Sequence, residues 1–124
     1  MRKHILLIDD EEDIREVTAV SLETVAGWQV SSADSGLAGL ELARKARPDA
    51  ILLDVMMPER DGPATLRLLH NDEATRGIPV IFLTAKVQSI EQERLEAIGA
   101  AGTLAKPFDP LSLADQIKEI LHWH

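Results

Sequence analysis

Short apolar runs alternate with longer segments of helical period along the whole chain. The runs are His4–Ile8, Trp28–Ala33, Ala50–Leu53, Val80–Leu83 and Thr103–Ala105. Three of them are nearly continuous Ile, Leu, Val and Phe, the pattern of strands buried on both faces. Between the runs, apolar residues recur at three- and four-residue steps. The first stripe is Ile14, Val17, Thr18, Ser21, Leu22 and Val25, with Gly27 as its C-terminal stop. A second helix is expected from about Ser35 to Arg47, ended by Pro48. A third follows Asp61-Gly62-Pro63, turns Leu68 and Leu69 inward and exits at Gly77 and Pro79. A fourth, weakly amphipathic, covers roughly 89–98. The last begins at Asp109-Pro110, a cap followed by proline at the first helical position, and carries Leu113, Ile117, Ile120 and Leu121.

Five strands separated by five helices imply right-handed crossovers and a doubly wound parallel sheet, an α/β fold. Ligands of such sheets bind beyond the C-terminal strand ends. The first strand ends in Asp9-Asp10, the third in Asp54, the fourth in Thr84 and the fifth in Lys106. Each has an ordinary reading when taken singly. Asp54 could be a turn residue, Thr84 a cap and Lys106 a snorkelling surface lysine. Glu11, Glu12 and Asp13 read as surface residues that complement a helix dipole.

Taken together, these groups bring three carboxylates, a hydroxyl and an amine to one edge. Crowded carboxylates repel one another, and a divalent cation relieves the repulsion. Oxygen donors without any cysteine point to Mg²⁺. Metal, fixed cation, polar donor and nucleophile are the parts of in-line phosphoryl transfer. An aspartate can be that nucleophile, giving an acyl phosphate.

Composition narrows the picture further. A chain of 124 residues fits one domain, 1–124, with no output domain beside it. The net charge of −8 and an aromatic content of 3% disfavour direct nucleic-acid binding. The opening MRKHILLIDDEED holds an apolar run too short for a signal peptide or a membrane span, so a cytoplasmic protein without a membrane partner is expected. His4, His70, His122 and His124 form no site.

The stretches ILLIDDEED, PDAILLDVMMPERDG, PVIFLTA and GAAGTLAKPF resemble, in order and spacing, the receiver domain of two-component response regulators, of the chemotaxis-regulator type. The likeness covers essentially the whole chain. It implies a (βα)5 flavodoxin-like fold with strand order 2-1-3-4-5. It makes Asp54 the phosphoacceptor, and Asp9 and Asp10 the acidic pair for Mg²⁺, with Asp10 the direct ligand. Asp54 and the backbone carbonyl of Met56 would complete the metal set. Thr84 becomes the switch hydroxyl, Ala85 the small residue beside the phosphoryl group and Lys106 the conserved-type lysine. The Lys106–Pro107 bond should be cis. Pro58 and Gly62 match the loop after the third strand, where turn chemistry alone would also place them.

The same resemblance implies a histidine kinase or phosphotransfer protein as donor. A downstream partner would bind through the fourth helix, fifth strand and fifth helix, with a homodimer on phosphorylation left open. The chain would act as a switch and not as a metabolic enzyme, its only catalysis being its own phosphorylation and dephosphorylation. It departs from the family at Thr103, where many receivers carry Tyr or Phe, and it has no tyrosine at all. Met56 and Lys86 occupy positions that tune hydrolysis in such proteins, and apolar Met56 implies slow autodephosphorylation. The alternative is a receiver-fold module that works without phosphorylation. Enzymes on this fold fit poorly. DDEED is the opposite of a flavin phosphate loop, GxGxxG is absent, and no DxD ends the first strand.

Overall fold

The computed structural model describes residues 2–58, 60–85 and 89–123. Its elements are β1 (His4–Ile8), α1 (Glu12–Ser21) continuing into a π-helical turn (Leu22–Ala26), β2 (Gln29–Ala33), α2 (Gly36–Ala46), β3 (Ala50–Asp54), α3 (Gly62–His70), β4 (Val80–Thr84), α4 (Ser89–Ala97), β5 (Gly102–Ala105) and α5 (Leu113–Leu121). The strands form one parallel sheet in the order β2-β1-β3-β4-β5. Alternation within the strands separates two cores. Leu6, Ile8, Ile51, Leu53 and Phe82 face α2, α3 and α4 through Leu40, Leu66, Leu69 and Leu95. Ile5, Leu7, Leu52, Ile81 and Leu83 face the π turn and α5 through Leu22, Leu113 and Ile117. Strands buried from both sides need apolar residues at successive positions, which is why β1, β3 and β4 read as unbroken runs.

Several helix ends follow the sequence signals. Gly27 closes the π turn at φ +71°, a left-handed conformation that glycine adopts without strain. Ser35 caps α2 by accepting from the Ala38 N–H, and Asp61 caps α3 by accepting from the Ala64 N–H. The Lys106–Pro107 peptide bond is cis, as expected.

Three expectations are corrected. In the first stripe Thr18, Ser21 and Leu22 are buried, but Val17 and Val25 face solvent. In α3 the inward residues are Leu66 and Leu69, with Leu68 only half-buried against the same core. And α5 begins at Leu113, not at Asp109-Pro110. Asp109 instead organises the preceding turn, where its side chain accepts from the Leu111 N–H and its carbonyl from Ser112 and Leu113. No helix among the described residues is long and apolar enough to cross a membrane.

Candidate functional site

The sheet register decides which side chains meet. β1 lies between β2 and β3 with Ile8 opposite Leu53, so the chain leaves β1 beside the end of β3. Asp54 pairs with Leu83 and Thr84 with Ala105, which puts the ends of β3, β4 and β5 on one edge. Short backbone bonds pin the exits. Asp9 N donates to Ala33 O, Val55 N to Leu83 O and Lys106 N to Thr84 O, at 3.1, 3.1 and 2.9 Å.

Asp9, Asp54 and Thr84 are buried there. Lys106 joins the carboxylates: its Nζ lies 2.8 Å from Asp9 Oδ2, 3.2 Å from Asp54 Oδ1 and 3.3 Å from Glu11 Oε1. Buried carboxylates without a partner are strongly unfavourable, so this one ammonium holds the edge together. Asp9 Oδ1 also accepts from the Glu11 N–H at 2.9 Å, and Asp54 Oδ1 from the Met56 N–H at 3.3 Å. Both oxygens of Asp9 are thus engaged. Asp10 projects into solvent.

The electrostatics follow from burial and proximity. Desolvation, then the charge of Asp9, push the Asp54 carboxyl up from 3.8 to about 6, against the opposing pull of Lys106 and the Met56 N–H. For Lys106, burial favours the neutral amine, but its bond to Asp9 and the charges of Asp9 and Asp54 outweigh it and raise the pKa. The ammonium is therefore retained.

One oxygen from each of Asp9, Asp10, Glu11 and Asp54 falls within a group spanning 4.8 Å. Four hard oxygen donors suit a small divalent cation such as Mg²⁺, so the residues fit the metal their pattern implies. Glu11 is the surprise. It reads as a surface residue in sequence, yet it belongs to this group and touches Lys106. Its place directly after Asp10 was the available signal. Arg15 was also missed, and its Nη1 donates to the Asp9 carbonyl at 2.8 Å.

Other sequence candidates fall as follows. Met56 exposes 79% of its surface, so its side chain offers no polar group to the site. Lys86 and His124 lie outside the described residues. His4 bonds Ser31 at the far end of β1, and the chain's remaining described histidines are remote from the edge. Thr103 is half-buried in an open groove of about 530 Å³, lined by Gln92 and Glu96 of α4 and by Gln116 and Glu119 of α5.

A family model described as the response regulator receiver domain matches residues 5–118. Among curated proteins, the transcriptional regulatory protein CseB of Streptomyces coelicolor is 41% identical over 118 residues, covering 95% of this chain and 49% of that protein. The phosphate regulon transcriptional regulatory protein PhoB of Pseudomonas aeruginosa is 39% identical over 119 residues, covering 96% and 52%. The chain thus spans about half the length of these relatives. Among solved structures, the chemotaxis protein CheY4 of Vibrio cholerae superposes with a TM-score of 0.89 at 30% identity, over 97% of this chain and 99% of that one.

Proposed function

The chain belongs to the response regulator receiver domains of two-component signalling, and on that premise we propose that Asp54 accepts a phosphoryl group from a histidine kinase or phosphotransfer protein. The observation that carries this is the buried Asp54 held 3.2 Å from the Lys106 ammonium beside an acidic group that can hold a cation. Asp54 Oδ1 is engaged by Lys106 and the Met56 N–H, which leaves Oδ2 as the attacking oxygen. Lys106 offers its charge to the phosphoryl oxygens as negative charge accumulates on Asp54. Thr84, buried at the adjacent strand end, supplies the hydroxyl that follows the new phosphoryl group.

Bound Mg²⁺ would neutralise the carboxylates and the incoming phosphate. Asp10, Asp54 and the Met56 carbonyl would ligate it, with Asp9 positioned behind them. The engagement of both Asp9 oxygens, against the solvent-facing Asp10, supports Asp10 as the direct ligand.

Phosphorylation then shifts a pre-existing equilibrium between two conformations and changes partner binding. The chain works as a cytoplasmic switch, catalysing only its own phosphorylation and dephosphorylation. Its output surface is the groove between α4, β5 and α5, where Thr103 leaves room an aromatic side chain would fill. The relatives' names make them transcriptional regulators, but an acidic receiver of net charge −8 acts through protein partners and not on nucleic acid directly.

Titration with beryllofluoride or acetyl phosphate in the presence of Mg²⁺ tests the assignment. The wild type should respond and Asp54→Ala should not. A silent wild type would instead favour the phosphorylation-independent module, for which the absent aromatic at Thr103 is the one supporting feature. Apolar, exposed Met56 cannot orient a hydrolytic water. The phosphorylated protein should therefore lose its label slowly, and a lifetime of seconds after donor removal would contradict that expectation.

A further inference from the structure

Resting on the acceptor reading, we propose that Arg60 is a positioning residue for the phosphoryl donor: it holds the donor's anionic phosphoryl group in the cavity beside Asp54 before transfer. The cavity has a volume of about 330 Å³ and lies among the loops that follow β1, β2 and β3. Arg60 lines it together with Asp10, Met57 and Pro58. Asp10 is in turn one of the acidic group that includes Asp54, so the cavity and the acceptor edge share this residue.

Arg60 Nη1 is buried and has no hydrogen-bond partner, the only nitrogen in that condition among the described side chains. Guanidinium N–H groups removed from water without a partner are costly and are normally satisfied. The two cations of the region therefore differ in kind. Lys106 is committed to three carboxylates, whereas Arg60 forms no ion pair among the described residues, although Asp10 and Asp34 line the same cavity.

The backbone at Arg60 is also held in place. The next residue, Asp61, caps α3, and Gly62 N donates to Val55 O at 2.9 Å. A planar guanidinium matches two oxygens of a phosphoryl group, which Lys106 cannot do as a point charge. During transfer the bond from phosphorus to the donor's leaving group breaks and a bond from Asp54 Oδ2 to phosphorus forms. The leaving group departs with the electron pair, as acetate from acetyl phosphate or, once protonated, as ammonia from phosphoramidate. Arg60 neither gives nor takes a proton in this step.

The test is the rate of Asp54 phosphorylation against donor concentration, read by phosphate-affinity gel, for wild type, Arg60→Met and Arg60→Lys with acetyl phosphate and with phosphoramidate. Arg60→Met should raise the half-saturating concentration of both donors about tenfold while the plateau rate changes little, as loss of one charged hydrogen bond predicts. Arg60→Lys should recover part of that loss. Beryllofluoride binding, which probes the acceptor site alone, should match wild type. Unchanged half-saturation in a folded Arg60→Met protein overturns the proposal. So does an effect confined to one donor, because Arg60 would then read the leaving group. A wild type that is not phosphorylated at all overturns the acceptor reading instead.

Discussion

Asp54 shows how a single buried carboxyl makes stability depend on pH. Its folded pKa of about 6 lies above its ordinary value of 3.8, so ionising it opposes folding. That penalty is absent below the unfolded value, grows as pH rises between the two, and is complete above the folded one. Asp54→Asn should therefore stabilise the metal-free protein at pH well above 6, by up to about 3 kcal/mol. At a pH near the unfolded value it should change little. Urea melts at the two pH values check this, and a variant less stable than wild type at the higher pH would refute it. Lys106 makes the complementary case. Replacing it with Met leaves Asp9 and Asp54 buried without their shared counter-charge. The expected loss is about 3 kcal/mol above the Asp54 pKa, and it should shrink as acid neutralises Asp54. Mg²⁺ titration of the melting temperature should recover part of it.

Elements carry the site because their ends are fixed, and α3 shows how tightly. A Cβ at Gly62 would sit 2.6 Å from the Asp54 carbonyl oxygen, 2.8 Å from Phe82 Cε1 and 2.9 Å from Val55 Cα. Two of these are backbone atoms of the acceptor strand and its exit, which cannot swing aside. Gly62→Ala should cost about 2 kcal/mol and displace the loop that presents Asp54, lowering both melting temperature and phosphorylation rate. A variant as stable and as fast as wild type would mean that the loop has slack. The strands and the caps at Ser35 and Asp61 were legible in sequence because burial on both faces and capping leave local signatures. The inner face of α1 was not. A period of 3.6 selects Val25 after Leu22, but the chain enters a wider π turn there, and Ala26 packs against the core in its place. The start of α5 misled for a related reason: Asp109 is a capping residue, but of a turn that precedes the helix. Glu11 read as a surface charge and Arg60 carried no signal in sequence, because neither the Lys106 contact nor the cavity exists until distant strands are brought together.

At the scale of the whole molecule, the two ends of the sheet carry different work. Local period cannot order five strands, and the order β2-β1-β3-β4-β5 was expected only through the family likeness. That order gathers Asp9, Asp54, Thr84 and Lys106 at the C-terminal edge, where repulsion between Asp9 and Asp54 costs stability and would be relieved by a bound cation. The opposite edge is a clasp. Trp28, just before β2, meets Trp123, beyond α5, edge-to-face at 5.5 Å between ring centroids. Lys3 lies 4.4 Å over the Trp123 ring, and Lys118 lies 5.9 Å over Trp28. The clasp ties the end of α5 to the π turn and β2 without touching the acceptor. Trp123→Ala should therefore lower stability by about 2 kcal/mol, through lost aromatic and cation–π contact. It should leave the Asp54 phosphorylation rate within twofold of wild type at a temperature where both proteins are folded. Loss of phosphorylation in a folded Trp123→Ala protein would instead mean that α5 transmits strain across the sheet, and the two edges could no longer be treated as independent.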